Sequence, residues 1–393
     1  MIYLLYIALA YLLITSFVML WNKTTFSPLR SLKNYVLPTD TPKVSICIPA
    51  RNEEGNIERC VRSALNQQYP NLEVLVLDDD STDETPRILY DLKEEYPYEL
   101  ILLSGKPKPD DWLGKPWACQ QLGEAASGNV IIFIDADVWL EPDTVTRTIR
   151  TMGGDVLDFL TIWPQQKLGS FWEKTIVPLV YYALTTLLPF AYVKKPPKWI
   201  PSVLRQKTGP MFAAACGQFM AFKRSAYDKI GGHQSVKDEI VEDVALAKKI
   251  KGNSLIMDMY NGISSVHCRM YNSQQELFEG FRKNFFAGFS YNIPLFVGMG
   301  LLHIIVFILP YVGLISGLLS DNTLMTVLSA SAILIVMLQR LILAKWFKWK
   351  PIYSLTHLLG VIWFQRLGVT SLQDFLGDGN TTWKGRDISQ KKK

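Results

Sequence analysis

Residues 44–85, VSICIPARNEEGNIERCVRSALNQQYPNLEVLVLDDDSTDET, decide the fold class. The stretch holds two short apolar runs, VSICIP and LEVLVLD, separated by a polar segment long enough for a helix. Two parallel strands need a crossover of that kind to connect them. Further apolar runs follow at NVIIFID and DFLTIW. The repeated alternation predicts an α/β domain with a mostly parallel sheet and helices on its faces.

Three of the predicted strands end in polar or special residues. These groups are Pro49-Ala50-Arg51, Asp78-Asp79-Asp80 and Asp135-Ala136-Asp137. Open α/β sheets bind their ligands at the carboxyl ends of parallel strands. We therefore expect the three groups to converge on one crevice.

The pair Asp135 and Asp137 closes the apolar run NVIIFID. A solvated turn explains two alternating acids about as well as a binding site does. Hard divalent ions such as Mg²⁺ and Mn²⁺, however, take one or two carboxylates together with diphosphate oxygens and water. The pair is therefore a candidate site for a metal-bound diphosphate.

The second acidic group, Asp78 to Asp80, stands between a predicted strand and a predicted helix. The structural alternative is a turn in which Ser81 or Thr82 caps that helix. Three consecutive carboxylates repel one another, so hydrogen-bond donors on the base or ribose of a ligand are a better reason for them. The sequence favours a nucleotide site here.

Other candidates are charged residues further along the chain. Glu242 and Asp243 open a predicted helix, where the dipole favours carboxylates, and capping alone explains them about as well as catalysis. An acceptor hydroxyl needs a base, and Asp243 is the simplest candidate. Lys115 in GKPWA is either a phosphate contact or a solvated lysine. Arg269 and Arg282 either anchor the chain beside the membrane or neutralise a diphosphate.

Apolar residues are concentrated at 2–21 and in most of 293–368. About 20 residues of helix span a bilayer core of roughly 30 Å. We predict an N-terminal transmembrane helix at 1–22 and a cytoplasmic domain at 40–290. Two membrane segments follow at 293–319 and 323–343. The segment at 351–368 is either re-entrant or a fourth span, and a basic tail follows at 369–393. Basic residues beside the spans place the central domain and the tail in the cytoplasm, with the protein in the cell (inner) membrane.

Composition narrows the class of partner. The net charge is +5 with 20% charged residues, and the excess cations lie beside the apolar runs, which favours a membrane surface over nucleic acid. Five widely spaced cysteines without a CxxC pattern indicate free thiols in a reducing compartment. His267 has no second His or Cys at ligand spacing, so we expect it to be hydrogen-bonded or packed. The oligomeric state stays open.

The ordered blocks resemble the family 2 glycosyltransferases, which have a GT-A fold. The resemblance covers roughly residues 43–290 and rests on the stretch quoted above, on GKPWACQQLGEAASGNVIIFIDADV and on IVEDVALAKKI. A narrower resemblance is to enzymes that glycosylate carotenoids or accompany hopanoid synthesis, through GKPWA, CGQFMAFKRSAYDKIGGH, EDVALA, CRMY, EGFRKNFFAGF and WKGR. The polymer-synthase pattern Q-x-x-R-W is not met, because Lys283 follows Arg282.

The resemblance implies a role for each matching residue. Uracil and ribose contacts match Pro49, Ala50, Arg51, Glu53 and Asp79, joined by Lys115 and Asp135. The metal ligand of the family's D-x-D matches Asp137, and the base of its E-D motif matches Asp243. Glu242, Arg269 and Arg282 are further diphosphate or acceptor contacts. Asp80 stands where many members have Gly.

Three functions follow as hypotheses. The first is an inverting, metal-dependent transfer of sugar from a nucleotide donor, UDP-linked by the resemblance, to a lipid-like acceptor such as a carotenoid or other terpenoid. The second is a glycosyltransferase that acts on polyprenyl phosphate or a cell-surface glycan. A phosphate acceptor would need more basic residues near the opening of the active site. The third, an inactive nucleotide-binding membrane scaffold, requires the loss of Asp137 or Asp243, and both are present.

Overall fold

The computed structural model describes residues 1–271, 273–289 and 291–377, and the backbone of 382–383 and 386–387. Most of the predicted basic tail and part of the WKGR motif therefore lie outside the described residues. The chain divides into two compact units. We call Phe26–Lys167, Ala191–Met270 and Lys384–Lys393 the sheet unit, and Met1–Thr25, Leu168–Phe190 and Tyr271–Trp383 the helical unit. The domain boundaries given above stay a prediction.

Ten strands lie among the described residues: β1 Val44–Ala50, β2 Leu72–Asp78, β3 Leu100–Ser104, β4 Val130–Ile134, β5 Val138–Leu140, β6 Phe159–Gln166, β7 Phe219–Lys223, β8 Met257–Cys268, β9 Thr382–Trp383 and β10 Arg386–Asp387. The described α-helices are α1 Ile2–Thr25, α2 Ile57–Leu65, α3 Thr85–Glu95, α4 Gly114–Ala125, α5 Thr144–Asp155, α6 Phe171–Leu187, α7 Ala191–Lys194, α8 Ser202–Thr208, α9 Arg224–Lys229, α10 Glu242–Gly252, α11 Gln274–Phe285, α12 Ile293–His303, α13 Leu309–Leu319, α14 Thr323–Trp346 and α15 His357–Leu376. Short 3₁₀ turns and one π-helical turn connect some of them.

The sheet unit is built on one mixed sheet in the order β3-β2-β1-β4-β7-β6-β8-β5. Pairing is parallel from β3 to β4, as the βαβ pattern predicts. The strand β7 is antiparallel to both β4 and β6, so the far half of the sheet is mixed. Helix-covered parallel strands are apolar on both faces, and β4 is buried along its whole length. The carboxyl ends of β1, β2 and β4 thus share one edge of the sheet, which confirms the predicted convergence.

Three helical stretches of the helical unit are long and apolar enough to cross a membrane: Ile2–Thr25, Ile293–Leu319 and Thr323–Trp346. They coincide with the apolar runs from which spans were predicted. In the first, the buried residues Leu5, Ala8, Leu12 and Met19 recur at helical spacing. The opposite face is apolar and exposed, with Ile14 66% accessible, as expected of a surface in contact with lipid.

The late segment predicted at 351–368 has different bounds in the structure. A 3₁₀ turn covers Pro351–Thr356, and α15 runs from His357 to Leu376. The prediction stopped near Arg366 because of its charge, yet the helix continues since that side chain is exposed on its outer face. Whether α15 crosses a membrane stays a prediction.

Pro178 and the charged pair Glu173-Lys174 favour an interfacial helix or an acceptor lid over a full span for residues 170–200. Within this stretch, α6 belongs to the helical unit. Ser170 and Glu173 make a capping box at its start, and Pro178 lies inside the helix. An interfacial position for it stays a prediction. All five cysteines are free, as predicted.

Candidate active site

The loops after β1 and β2 are joined by hydrogen bonds at the shared edge of the sheet. The Asn52 amide donates to Ser81 Oγ at 2.9 Å, and the Thr82 amide donates to Asn52 Oδ1 at 2.8 Å. Arg51 Nη1 donates to the carbonyls of Asp79 and Asp80, the latter at 2.6 Å. The predicted nucleotide residues of these two strands therefore lie together, and their backbones hold each other in place.

Two details of these loops differ from the sequence prediction. Ser81 and Thr82 do not cap α3, which begins at Thr85 without a side-chain cap at Glu84, because their groups bind Asn52 instead. Asp80 has a φ of +60°, in the left-handed region that favours glycine. Asp and Asn tolerate that region better than other side chains. The geometry thus accommodates Asp80 in a conformation that glycine adopts most easily.

The D-x-D pair lies between the end of β4 and the start of β5. Asp135 is held by Lys115, whereas Asp137 Oδ1 is buried and has no hydrogen-bond partner. Burial raises the pKa of Asp137 to about 7, and the charges of Asp135 and Glu53 add to the rise. A buried carboxylate oxygen without a hydrogen-bond partner, close to two other carboxylates, would be stabilised by a bound cation.

Lys115, in the first turn of α4, joins two acids from distant parts of the chain. Its Nζ lies 2.7 Å from Asp135 Oδ1 and 2.9 Å from Glu242 Oε1. Burial by itself raises the pKa of Glu242, but the Lys115 charge and hydrogen bonds to the carboxylate together outweigh burial, and the net pKa is lowered. This pairing was missed from the sequence, because nothing in the spacing of α4 and α10 indicates that their first turns meet.

Asp243 follows Glu242 at the start of α10, and its carboxylate, like Lys115 Nζ, lies beside Gly217. Its Oδ2 accepts a hydrogen bond from the Gly217 amide at 2.8 Å, and its Oδ1 accepts one from the Val244 amide at 2.7 Å. Burial raises the pKa of Asp243 to about 6, and the neighbouring Glu242 carboxylate adds to the rise. A carboxyl with a pKa nearer neutrality is a more effective proton acceptor than an ordinary aspartate.

Gly217 is a site residue that sequence reasoning missed. A Cβ there would lie 3.2 Å from Lys115 Nζ and 3.4 Å from Asp243 Oδ2. Only a glycine lets the backbone approach both charged groups closely. The signal was the glycine in the quoted CGQF block, which lies just before β7.

The remaining candidates lie elsewhere. The Arg269 amide donates to the Asp137 carbonyl at 3.3 Å, so its backbone borders the D-x-D pair. Arg282 belongs to the helical unit, where Nε and Nη2 both donate to Asp374. His267 Nε2 lies 2.8 Å from Glu141 Oε1, which confirms the expected hydrogen-bonded histidine.

Pro49 and Ala50 are the last two residues of β1, and Glu53 lies in the loop that follows. The Glu53 amide donates to Thr85 Oγ1 at 2.8 Å, which adds a further link between the two loops. Asp79 is buried. The predicted nucleotide residues thus lie at one edge of the sheet unit.

Comparisons with known proteins agree with this geometry. Residues 45–231 match the family described as Glycosyl transferase family 2. The 4,4'-diaponeurosporenoate glycosyltransferase of Staphylococcus aureus (strain N315) is 30% identical over 267 residues, which are 67% of this chain and 66% of that protein. The protein of the same name from the bovine strain RF122 / ET3-1 is 27% identical over 372 residues, 93% of each. The chain thus spans about two thirds of the length of the first of these relatives.

A solved structure shows the same fold. The mannosyltransferase of Pyrobaculum calidifontis, in complex with GDP-Man and Mn²⁺, matches with a TM-score of 0.52 at 19% identity. The match covers 95% of this chain and 99% of that chain. The family match and the relatives show the family, and this likeness agrees with the mixed sheet: the chain belongs to the family 2 glycosyltransferases and has the GT-A fold.

Proposed function

We propose that this protein transfers a sugar from a nucleotide donor to a lipid-like acceptor, with inversion at the anomeric carbon and with a divalent metal. The observation that carries the proposal is the convergence of Lys115, Asp135 and Asp243 around Gly217. A paired cation, a pair of strand-end acids and a carboxylate of raised pKa are the groups that such a transfer needs.

The donor nucleotide binds at the ends of β1 and β2. Pro49, Ala50, Arg51, Glu53 and Asp79 surround the base and ribose in this assignment. The hydrogen bonds that join the two loops support it, because a preorganised loop loses less entropy when it binds a ligand. The family resemblance favours uracil as the base, and therefore a UDP-linked sugar as the donor.

The residues present fit a divalent metal, Mg²⁺ or Mn²⁺. No group of three or more His, Cys, Asp or Glu residues in the described part of the chain could hold an ion by itself. Asp137 has a buried carboxylate oxygen without a partner, and diphosphate oxygens and water complete such a site in proteins that bind these ions. A bound ion would neutralise the charge of the diphosphate leaving group. Asp137 is therefore the proposed ligand.

Asp243 is the proposed base. Its carboxylate is held by two backbone amides, so its position is fixed before the acceptor arrives. It takes the acceptor proton as the acceptor oxygen bonds to the anomeric carbon and the bond to the diphosphate breaks. Lys115 stays paired with Asp135 and Glu242 and holds the start of α4 against them. Arg269 and Arg282 stay candidates for diphosphate or acceptor contacts.

The acceptor is lipid-like in this proposal, and two observations support it. The helical unit carries three helices long and apolar enough to cross a membrane. The relatives from Staphylococcus aureus are named for a glycosyl transfer to 4,4'-diaponeurosporenoate. A carotenoid or other terpenoid acceptor agrees with both.

The test is an assay of transfer with the whole protein in detergent or vesicles. Purified protein is incubated with labelled UDP-hexoses, Mg²⁺ or Mn²⁺, and either a terpenoid that carries a hydroxyl group or a polyprenyl phosphate. We expect label in the terpenoid product. Label in the polyprenyl phosphate alone would support the second function, and binding of UDP without transfer to any acceptor would support the inactive scaffold.

We further propose that the sheet unit and the chain after Arg366 face the cytoplasm. The cations Lys345, Lys348 and Lys350 at the return end of α14 support this orientation. Ser389→Cys, in a background without the native cysteines, should resist a membrane-impermeant thiol reagent in intact cells. Labelling in intact cells would place the tail outside and establish a fourth span.

A further inference from the structure

The helical unit contains a buried cation without an acidic partner. Arg340 lies in α14 and is 2% exposed. Its Nε and Nη1 have no hydrogen-bond partner, and its Nη2 reaches only the Tyr353 carbonyl at 3.5 Å. None of the ion pairs among the described residues includes Arg340. A buried guanidinium is rarely left in that state, because an unsatisfied buried charge is costly.

Two further polar side chains close to Arg340 in the fold are also unsatisfied. His357, the first residue of α15, is 1% exposed, and neither ring nitrogen has a partner. Tyr182 connects the two residues, because its ring lies 5.3 Å from that of His357 and its hydroxyl donates to Gln339, the neighbour of Arg340 in the chain. Ser354, in the preceding 3₁₀ turn, is 3% exposed, and its hydroxyl has no partner. Three neighbouring buried side chains thus have N–H or O–H groups without a hydrogen-bond acceptor.

The acids of the helical unit do not supply the missing charge. Asp374 is paired with Arg282, and Glu173 accepts hydrogen bonds from the Gly169 and Ser170 amides. The groups that pack on His357 are aromatic instead. The Phe307 ring centroid lies 5.0 Å from that of His357, and Tyr182 lies 5.3 Å away. The described rings that pack on His357 are thus aromatic, and no described acid forms an ion pair with Arg340.

The helix on which Phe307 lies is irregular at this point. Residues Ile304–Ile308 form a π-helical turn within an otherwise α-helical stretch. Such turns cost stability and occur frequently at functional sites. Another buried polar residue shows the contrast within the same unit: Gln339 Nε2 donates to Ser16 Oγ at 2.8 Å, and its Oε1 accepts from Tyr182. The helical unit therefore provides hydrogen-bond partners for the Gln339 amide but none for Nε and Nη1 of the adjacent Arg340.

We propose that Arg340, Ser354 and His357 bind the oxyanion headgroup, carboxylate or phosphate, of a lipid whose apolar tail lies along the helical unit. An oxyanion accepts hydrogen bonds from all three side chains and neutralises the guanidinium. Exposed apolar residues flank the site in the 3₁₀ turn that contains Ser354, with Ile352 63% and Leu355 69% accessible. They offer the tail an apolar surface. The site is assigned independently of sugar transfer.

The test measures binding to the whole protein in a neutral detergent, without nucleotide or metal. The probes are oleate, oleyl alcohol, phosphatidylglycerol and inorganic phosphate. We expect oleate and phosphatidylglycerol to bind, and oleyl alcohol, which lacks the charge, to bind at least about tenfold more weakly. Tight binding of oleate alone would assign a carboxylate, and of phosphatidylglycerol alone a phosphate headgroup. Inorganic phosphate that binds as well as the lipids would overturn the lipid assignment.

Substitutions locate the site. Arg340→Gln should weaken oleate or phosphatidylglycerol binding by about tenfold or more, because a charge-assisted contact is lost. Lys345→Gln, which removes an exposed charge from the same helix, should leave binding within about twofold. Ser354→Ala removes one hydroxyl and should weaken binding several-fold, and it serves as the test if Arg340→Gln does not fold. Wild-type affinity in Arg340→Gln, or in Ser354→Ala when that variant serves, would overturn the proposal.

Discussion

Lys115 and Arg340 are cations in the interior of the two units, and the protein treats them differently. Lys115 is balanced by Asp135 and Glu242, both within 3 Å of its Nζ. Arg340 has no acidic partner among the described residues and only one long hydrogen bond. A cation neutralised by its own chain can hold a site in shape before any ligand arrives. A buried cation without an acidic partner is stabilised most by a ligand that carries a negative charge.

The same contrast appears between two carboxylates of the sheet unit. Asp243 has two backbone amide donors, whereas Asp137 Oδ1 has no partner. The satisfied carboxylate is the one proposed to accept a proton, and the unsatisfied one is proposed to bind metal. Variants of Asp243 and of Asp137 therefore test the proposed base and the proposed metal ligand separately.

The largest effect is expected from Asp243→Asn. The amide keeps the shape of the side chain but cannot accept the acceptor proton, so kcat should fall by roughly 10² to 10⁴-fold. Donor binding should stay within a few fold of wild type. Steady-state transfer and equilibrium binding of the labelled donor check the two parts, and near-normal turnover would rule out Asp243 as the base.

Asp137→Asn is expected to act on the donor. A neutral amide oxygen is a poorer ligand for a hard cation, so metal-dependent donor affinity should fall by about 10 to 100-fold. Donor titrations with Mg²⁺ and with a chelator make the comparison. An affinity that does not depend on metal in the wild type would contradict the assignment.

The pH dependence of kcat/KM should report the Asp243 carboxyl. Its pKa is raised to about 6, and only the ionised form can accept a proton. Activity should therefore be full above pH 7 and fall about tenfold for each unit below 6. The profile is measured at saturating metal, and a profile flat down to pH 5 would exclude a base of this pKa.

Removing the partly buried Lys115 should lower stability, whereas removing the buried Arg340 should not. Lys115→Met leaves Asp135 and Glu242 without their cation and should lower the unfolding free energy by roughly 1–2 kcal/mol, since Lys115 is 37% exposed and solvent screens part of the loss. Arg340→Met removes an unpaired buried charge and should leave the stability of lipid-free protein unchanged or higher. Thermal unfolding in a neutral detergent compares them, and an equal loss in both variants would remove the contrast.

The Lys115→Met deficit should also depend on pH. In the wild type the Glu242 pKa is lowered in the folded state, so Lys115 stabilises the fold above the ordinary carboxyl pKa. The difference from wild type should thus be full at pH 7 and shrink as the pH falls below about 4. A deficit of the same size at both pH values would show that packing, not charge, was lost.

The smallest effect is expected at a surface pair. Arg30 lies 2.9 Å from Asp155, and its side chain is 45% exposed. Water screens such a pair, so Arg30→Gln should cost less than about 1 kcal/mol. The variant is a reference for the Lys115 measurement, and a loss as large as that of Lys115→Met would mean that burial does not set the difference.

The sequence predicted local features well and long-range pairings poorly. The apolar runs located β1, β2, β4 and β6, because strands buried on both faces are continuous apolar stretches. The pairing of Lys115 with Glu242 joins residues far apart in the chain, and no local pattern carries that information. The alternative in which Ser81 caps α3 is not observed, since Ser81 binds the neighbouring loop instead of its own helix.

The measurement that tests the central claim most directly is a lipid analysis of the native cells. Membrane lipids are extracted from cells that lack the gene and carry either the wild-type protein or Asp243→Asn. The account predicts a terpenoid lipid heavier than its precursor by one hexose in the wild type, and only the precursor in the variant. The same glycosylated lipid at equal abundance in both, or in neither, would contradict it.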